Sequence, residues 1–219
     1  MKKPFELHAD YQPESFKFTK AFQKKVDEAI SLYPAGRQQS AVMPMLDLAQ
    51  RQVAEGGAKA DPVYGGWIPR AAMDHIADLL DMPAIKVYEV ASFYSMYNMA
   101  PVGKYLVQLC TTTPCWLCGS DDIVKACKDH LGVGMGETTE DGKFSLMEVE
   151  CLGACVNAPM VQINDDFYED LTAETMKEIL GLLSEDMKPE IGSQKGRKSS
   201  MALSGPTSLE KQAKKAGVA

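Results

Sequence analysis

The sequence predicts an α+β protein: an N-terminal helical bundle, then a compact α/β domain, then an extended basic tail. Three observations carry that reading. Through the first hundred residues apolar side chains recur at helical spacing. After Pro101-Val102-Gly103 the repeat changes to strands interleaved with helices. Beyond Lys188 the chain is rich in Lys, Ser, Gly and Pro, with no sustained apolar stripe. The expected boundaries are 1–100 for the helical domain, 101–187 for the α/β domain and 188–219 for the tail.

In chain order, Thr19 can N-cap a helix whose apolar residues Phe22, Val26, Ala29, Ile30 and Tyr33 share one face and which ends before Pro34. A second helix takes in Val42, Met45, Leu46, Ala49 and Val53, and the glycines and Pro62 of residues 55–67 read as a loop. Pro69 suits the first turn of a helix bearing Ala72, Met73, Ile76, Leu79 and Leu80. A fourth helix, about 84–94, carries Val87, Val90 and Ala91. These apolar positions are expected to be core. Residues 104–109 alternate as a strand ending at Cys110, and Ser120 can cap a helix through Ile123, Val124, Cys127 and Leu131. Strands at 144–149 and 160–163 follow, and Thr172 caps a last helix through Met176, Ile179, Leu180 and Leu183.

Composition narrows the function classes. With 45% hydrophobic and 24% charged residues the 219-residue chain reads as a soluble globular protein of one or two domains. No run approaches the ~20 apolar residues of a membrane-spanning helix. The N-terminal segment lacks an apolar h-region and is not Arg-rich, so a cytosolic or bacterial cytoplasmic protein is expected. A net charge of −7 offers no broad basic surface for nucleic acid. From Asp186 onward seven basic and three acidic residues give +4, leaving −11 on the body. Such a tail is either a solvated terminus or a partner-binding strap.

Six cysteines, at 110, 115, 118, 127, 151 and 155, lie in one third of the chain. Clustered this way without a secretion signal, they point to metal or redox chemistry instead of a disulfide framework. Three chemistries compete. Cys115-Trp116-Leu117-Cys118 between a strand and a helix looks like a dithiol oxidoreductase motif, which leaves Cys110, Cys151 and Cys155 without a role. Cys110, Cys115 and Cys118 with Cys151 match the C-x4-C-x2-C spacing of plant-type ferredoxins, with Cys155 idle. Pairing Cys110 with Cys115 and Cys151 with Cys155 instead gives two strand-end loops with two thiolates each, which suits a two-iron cluster. Zinc on those four cysteines is chemically feasible, though the spacing is unlike short C-x2-C knuckles. Gly153 would let backbone N–H groups approach a sulfur, and Thr111, Thr112 and Thr113 could donate from the other loop. Cys127, on an apolar helix stripe, reads as a buried small hydrophobe. Cys118 is expected near the centre without binding it. His8, His75 and His130 are scattered and read as solvated.

Cys110-Thr-Thr-Thr-Pro-Cys115, followed by Glu148-Val-Glu-Cys151-Leu-Gly-Ala-Cys155-Val-Asn-Ala-Pro-Met-Val-Gln-Ile-Asn, resembles the 24-kilodalton iron–sulfur subunit family of respiratory complex I. Residues 42–50, Gly66-Trp67-Ile68-Pro69, residues 87–97, residues 101–105 and Tyr168-Glu169-Asp170-Leu171-Thr172 are also similar, so the resemblance spans about residues 5–185. Cys118 stands where that family commonly has another residue, and the 53–65 loop looks longer than in many of its members. The resemblance implies a thioredoxin-like domain holding one [2Fe–2S] cluster on Cys110, Cys115, Cys151 and Cys155. It implies an electron-transfer subunit of NADH:quinone oxidoreductase, with no catalytic residues of its own. NADH and FMN would belong to a partner flavoprotein subunit, with a larger iron–sulfur subunit alongside. The location implied is peripheral, on the inner face of a bacterial plasma membrane or the matrix side of a mitochondrial one. A diaphorase subunit of a soluble NAD-linked hydrogenase or formate dehydrogenase is the near alternative. Glu148, Glu150, Asp165 and Asp166 lie close in sequence to the second cysteine pair, where their charge would lower a cluster potential unless they are merely solvated.

Overall fold

In the computed structural model, which describes residues 12–205 and 208–217, helix α1 (Lys20–Ser31) starts where expected: Thr19 Oγ1 accepts the Phe22 N–H at 3.4 Å. The described residues up to Lys104, with Glu140–Phe144, form one compact unit, and Tyr105–Thr139 with the described residues from Ser145 onward form a second. His8 lies outside the described residues.

The first unit is the helical one. A 3-10 turn at Gln38–Ala41 leads into α2 (Val42–Gly57), then α3 (Arg70–Leu80) and α4 (Ala84–Phe93). Helix α2 runs to Gly57, into the stretch the glycines suggested was loop. It stops where Tyr64 folds back: Gly57 O accepts the Tyr64 N–H at 3.1 Å, and a Cβ on Gly57 would collide with the Tyr64 ring and carbonyl. Pro69 sits one residue before α3, at the cap. Most stripe positions pack inward, with Val26, Met45, Leu46, Ile68, Met73, Ile76 and Val87 fully buried, but Leu79, expected in the core, is exposed, because it lies at the edge of the stripe that Ala72, Met73, Ile76 and Leu80 centre. His75 differs from expectation: it is half-buried beside the rings of Phe16 and Phe18, because α3 turns that face toward the entering chain.

The second unit carries β1 (Tyr105–Cys110), α5 (Thr113–Leu117), α6 (Ser120–Leu131), most of β2 (Phe144–Val149), β3 (Val161–Ile163), β4 (Asp166–Glu169), α7 (Ala173–Ser184), β5 (Gly192–Ser193) and α8 (Glu210–Ala216). The sheet order is β2-β1-β3-β4-β5. β1 and β3 are antiparallel, Leu109 opposite Val161 and Val107 opposite Ile163. β3 and β4 form an antiparallel hairpin whose turn has Asn164 at φ 54°, and β4 and β5 are parallel. Thr172 caps α7 in a capping box with Thr175, as expected. The cap of α6 is not Ser120 but Gly119, at φ 96°; Ser120 is the first helical residue, and its buried Oγ has no partner among the described residues. Four short elements were not foreseen, namely α5, β4, β5 and α8. Each is too short to show a period, and β5 exists only because β4 offers it an edge. Among the described residues no helix is long and apolar enough to cross a membrane.

Candidate metal centre

Four of the six cysteines gather at one end of the sheet, from two loops. Cys110 is the last residue of β1, and Cys115 sits in the single turn α5 directly after it. Cys151 follows β2, and Cys155 opens a 3-10 turn (Cys155–Asn157) that leads back to β3. The β1–β3 register puts Met160 beside Cys110, so the start of one strand and the end of the other bring the loops together. Cys110, Cys115 and Met160 form a small buried cluster, with Leu152, Ala154, Ala158 and Phe167 packed against it. Cys151 is exposed and Cys155 half-exposed, so the centre has a dry inner wall and an open outer side, and Trp116, Leu117 and Val156, neighbours of these cysteines in sequence, are exposed.

The thiols come as two pairs. Cys151 Sγ lies 3.3 Å from Cys155 Sγ. Cys110 and Cys115 share a hydrogen bond, and Cys110 Sγ lies 3.3 Å from Thr112 Oγ1. Burial pushes the Cys110 thiol up, but hydrogen bonds from Thr112, Cys115 and the Leu152 backbone outweigh it and hold the group below its ordinary value. Burial and the neighbouring Cys110 push Cys115 up to about 12, against a hydrogen bond from the Met160 backbone. Cys155 is raised by its hydrogen bond with Cys151 and by burial. The thiols are thus presented two by two, one pair from each loop. Among the described residues no group of three or more His, Cys, Asp or Glu side chains is arranged around a single ion.

The dithiol reading does not fit this geometry. An attacking cysteine needs a depressed pKa and access. Cys115 is buried with its pKa raised, and Cys118 sits exposed at the C-terminal end of α5. Cys118 instead lines a cleft of 780 Å³ between α6 and α7 with Asp122, Lys125, Pro159 and Lys177. Cys127 is fully buried on α6, and burial alone raises its thiol to about 12, as befits a small core residue.

The supporting residues are partly as expected. Of the three threonines, Thr112 reaches a sulfur, while Thr111 donates to Glu148 Oε1 at 2.6 Å and so ties the two cysteine loops together. Gly153 has φ 89° with open space around its Cβ position, so the turn needs its backbone freedom and not its small size. Asp165 and Asp166 lie at the far end of the β3–β4 hairpin, roughly 10 Å of strand away from the cysteines. Adjacency in sequence misled there, because a hairpin carries the chain away before returning it. Two backbone donors, Leu152 and Met160, and the buried Asn157 had no sequence signal beyond lying in the quoted motif.

The model of the family described as thioredoxin-like [2Fe-2S] ferredoxin matches residues 26–184. A component of the NADH-quinone oxidoreductase of Rickettsia felis is 52% identical over 174 residues, 80% of this chain and 98% of that protein. The mitochondrial NADH dehydrogenase [ubiquinone] flavoprotein 2 of Dictyostelium discoideum is 48% identical over 194 residues, 89% of this chain and 74% of its own. Among solved structures, an NAD+-reducing [NiFe]-hydrogenase in the H2-reduced state aligns with a TM-score of 0.50 at 15% identity, over 64% of this chain and 23% of that one. This last is a likeness of fold alone.

Proposed function

This chain belongs to the thioredoxin-like [2Fe–2S] ferredoxin family, and from that membership we propose that it is the electron-transfer subunit of the NADH dehydrogenase module of respiratory complex I. Its relatives carry the names of NADH-quinone oxidoreductase subunits along nearly their whole length. We assign one [2Fe–2S] cluster to Cys110, Cys115, Cys151 and Cys155. The observation that supports the assignment is the convergence of two thiol pairs from separate loops on one half-dry pocket. A two-iron cluster needs two protein sulfurs on each iron, and a pair from each loop supplies them. Bound there, the cluster supplies a one-electron donor and acceptor.

The chain's own residues do the rest. Met160, Leu152 and Phe167 exclude water from the inner side. Thr112 and the backbone N–H groups of Leu152 and Met160 donate toward sulfur, offsetting the cost of buried negative charge. The open side at Cys151 is where electrons enter or leave. The partner there is the flavoprotein subunit that binds NADH and FMN, with the larger iron–sulfur subunit of the same module nearby. The assembly would be peripheral, on the inner face of the bacterial membrane or its mitochondrial counterpart. The test is anaerobic reconstitution of the full chain, then addition of NADH with the flavoprotein subunit. A red-brown chain whose colour bleaches, with a reduced-cluster EPR signal, is the expected result. A colourless zinc-containing chain, or a cluster that NADH and flavoprotein leave oxidised, would count against it.

Glu148 gives a second prediction. Its carboxylate sits at the loop junction through Thr111, and negative charge near a cluster disfavours an added electron. Glu148→Gln keeps an acceptor for the Thr111 hydroxyl and removes only the charge. The midpoint should rise, on the order of tens of millivolts, in a redox titration at low salt. An unchanged midpoint would mean that solvent screens this carboxylate.

A further inference from the structure

The C-terminal tail is not a loose end. Residues 192 and 193 pair with Tyr168 and Glu169 as β5, and Gln194 N–H continues the ladder onto Glu169 O at 2.9 Å. From there the chain wraps one acidic residue. Arg197 grips Asp170 with both forks, Nε to Oδ2 and Nη2 to Oδ1, each at 2.9 Å. Ser193 Oγ donates to Asp170 Oδ2 at 2.6 Å, and the Lys195 and Arg197 N–H groups close onto Ser193 Oγ. Arg197 Nη1 also donates to Met201 O at 3.1 Å, which fixes the strap to itself. The Asp170 side chain is 3% exposed and that of Arg197 16%. This is a buried bidentate ion pair, not a surface contact.

Asp170 in turn holds the second cysteine loop. Its N–H donates to Asn157 O at 2.7 Å, and Leu171 N–H donates to Pro159 O at 3.1 Å. Asn157 lies two residues after Cys155 and is 4% exposed. Its Nδ2 has two acceptors: Glu169 Oε2 at 2.5 Å and, from the strap, Ser199 O at 2.9 Å. Its Oδ1 is buried with no partner among the described residues. A buried amide already lacking one partner tolerates poorly the loss of another. Every one of these strap residues lies beyond the segment the family model matches, which ends at 184.

We propose that residues 188–201 are a strap that positions the Cys151–Cys155 loop, with Arg197 acting through Asp170 and Asn157 as the positioning residue. The proposal rests on that loop holding half of the cluster. Removing the guanidinium strands a buried carboxylate, and the least costly relief is for the 157–170 contact to open. The 3-10 turn at Cys155 then loses its anchor, and the thiol pair facing solvent loses its fixed geometry.

The test compares the wild-type full chain with Arg197→Ala, Arg197→Lys and Ser193→Ala. Four readouts are followed: hydrogen exchange of the 151–157 amides in the metal-free chain, iron loss to a chelator, the reduced-cluster EPR spectrum, and the thermal midpoint. Arg197→Ala should speed exchange at 151–157 and raise the rate of iron loss about tenfold. It should also alter the EPR spectrum. Lysine, a point charge without the fork, should restore this only in part. If Arg197→Ala lowers the thermal midpoint yet leaves exchange at 151–157, the spectrum and iron loss at wild-type values, the strap is mere stabilisation and the proposal fails. Should that variant not fold, the same readouts on Ser193→Ala, which removes one hydrogen bond, decide. A wild-type chain that takes up no cluster would instead sink the functional reading, while the exchange comparison still judges the strap.

Discussion

Alanine at Cys110, Cys115, Cys151 or Cys155, one at a time, is expected to clear the chain of its cluster EPR signal, whereas alanine at Cys118 or Cys127 leaves the signal in place. Iron retained per chain should fall to about a tenth or less for the first group, since losing an outer-shell partner alone costs 10–100-fold in affinity and a ligand is worth more. The four should not behave identically. Cys110 and Cys115 sit in the dry wall with Met160, and removing either leaves a hole that water enters poorly. Cys151 is exposed, so water can take its place and a residue of loosely held iron is expected there. Cys127→Ala trims a fully buried thiol on α6 and should cost stability without touching the signal. Iron analysis and EPR on the reduced variants check all of this. A signal lost with Cys118→Ala and kept with Cys155→Ala would move the ligand set to the C-x4-C-x2-C spacing.

Leu46→Ala carries the second large expected effect, this time on stability. Leu46 is fully buried on α2, the helix that packs against α1, α3 and α4 of its unit. Leu46 belongs to the buried core these helices share, so its truncation leaves space inside that core. A loss of about 3 kcal/mol is expected from the usual Leu→Ala range, a large share of the roughly 5–15 kcal/mol that holds a domain folded. Chemical denaturation followed by far-UV circular dichroism measures it. The EPR spectrum of the reduced variant should match wild type below the transition, because all four cysteines and the side chains packed on them belong to the other unit. A changed spectrum, or a loss below about 1 kcal/mol, would refute this account of the core.

Much of the molecule could be read from local chemistry. Thr19 and Thr172 cap the helices they were expected to cap, since an N-cap needs only one side-chain oxygen and the N–H groups just after it. The centres of the stripes on α1, α2, α3, α6 and α7 fall inside, since a period of 3.6 leaves one face apolar, while Leu79 at the edge of the α3 stripe is exposed. The short pieces were illegible for the converse reason: α5 is a single turn and β5 two residues, so neither can show a period. Ser120 misled because Gly119 could reach a left-handed conformation that made it the cap.

The opening α+β reading, and the suspicion that clustered cysteines meant metal, needed nothing beyond the sequence. The approach of the two cysteine loops needed more. Cys110 and Cys151 are 41 residues apart, and what brings Met160 beside Cys110, with Leu152 and Ala154 of the second loop packed on them, is a strand register, Leu109 against Val161, that spacing alone does not encode. The tail depended on tertiary structure still more completely. As a sequence it is a run of lysines, serines and glycines with too little apolar surface to order itself. Residues 192–197 are held in place because β4 presents an edge and Asp170 a buried charge, and among the described residues these are met by residues more than twenty positions further on.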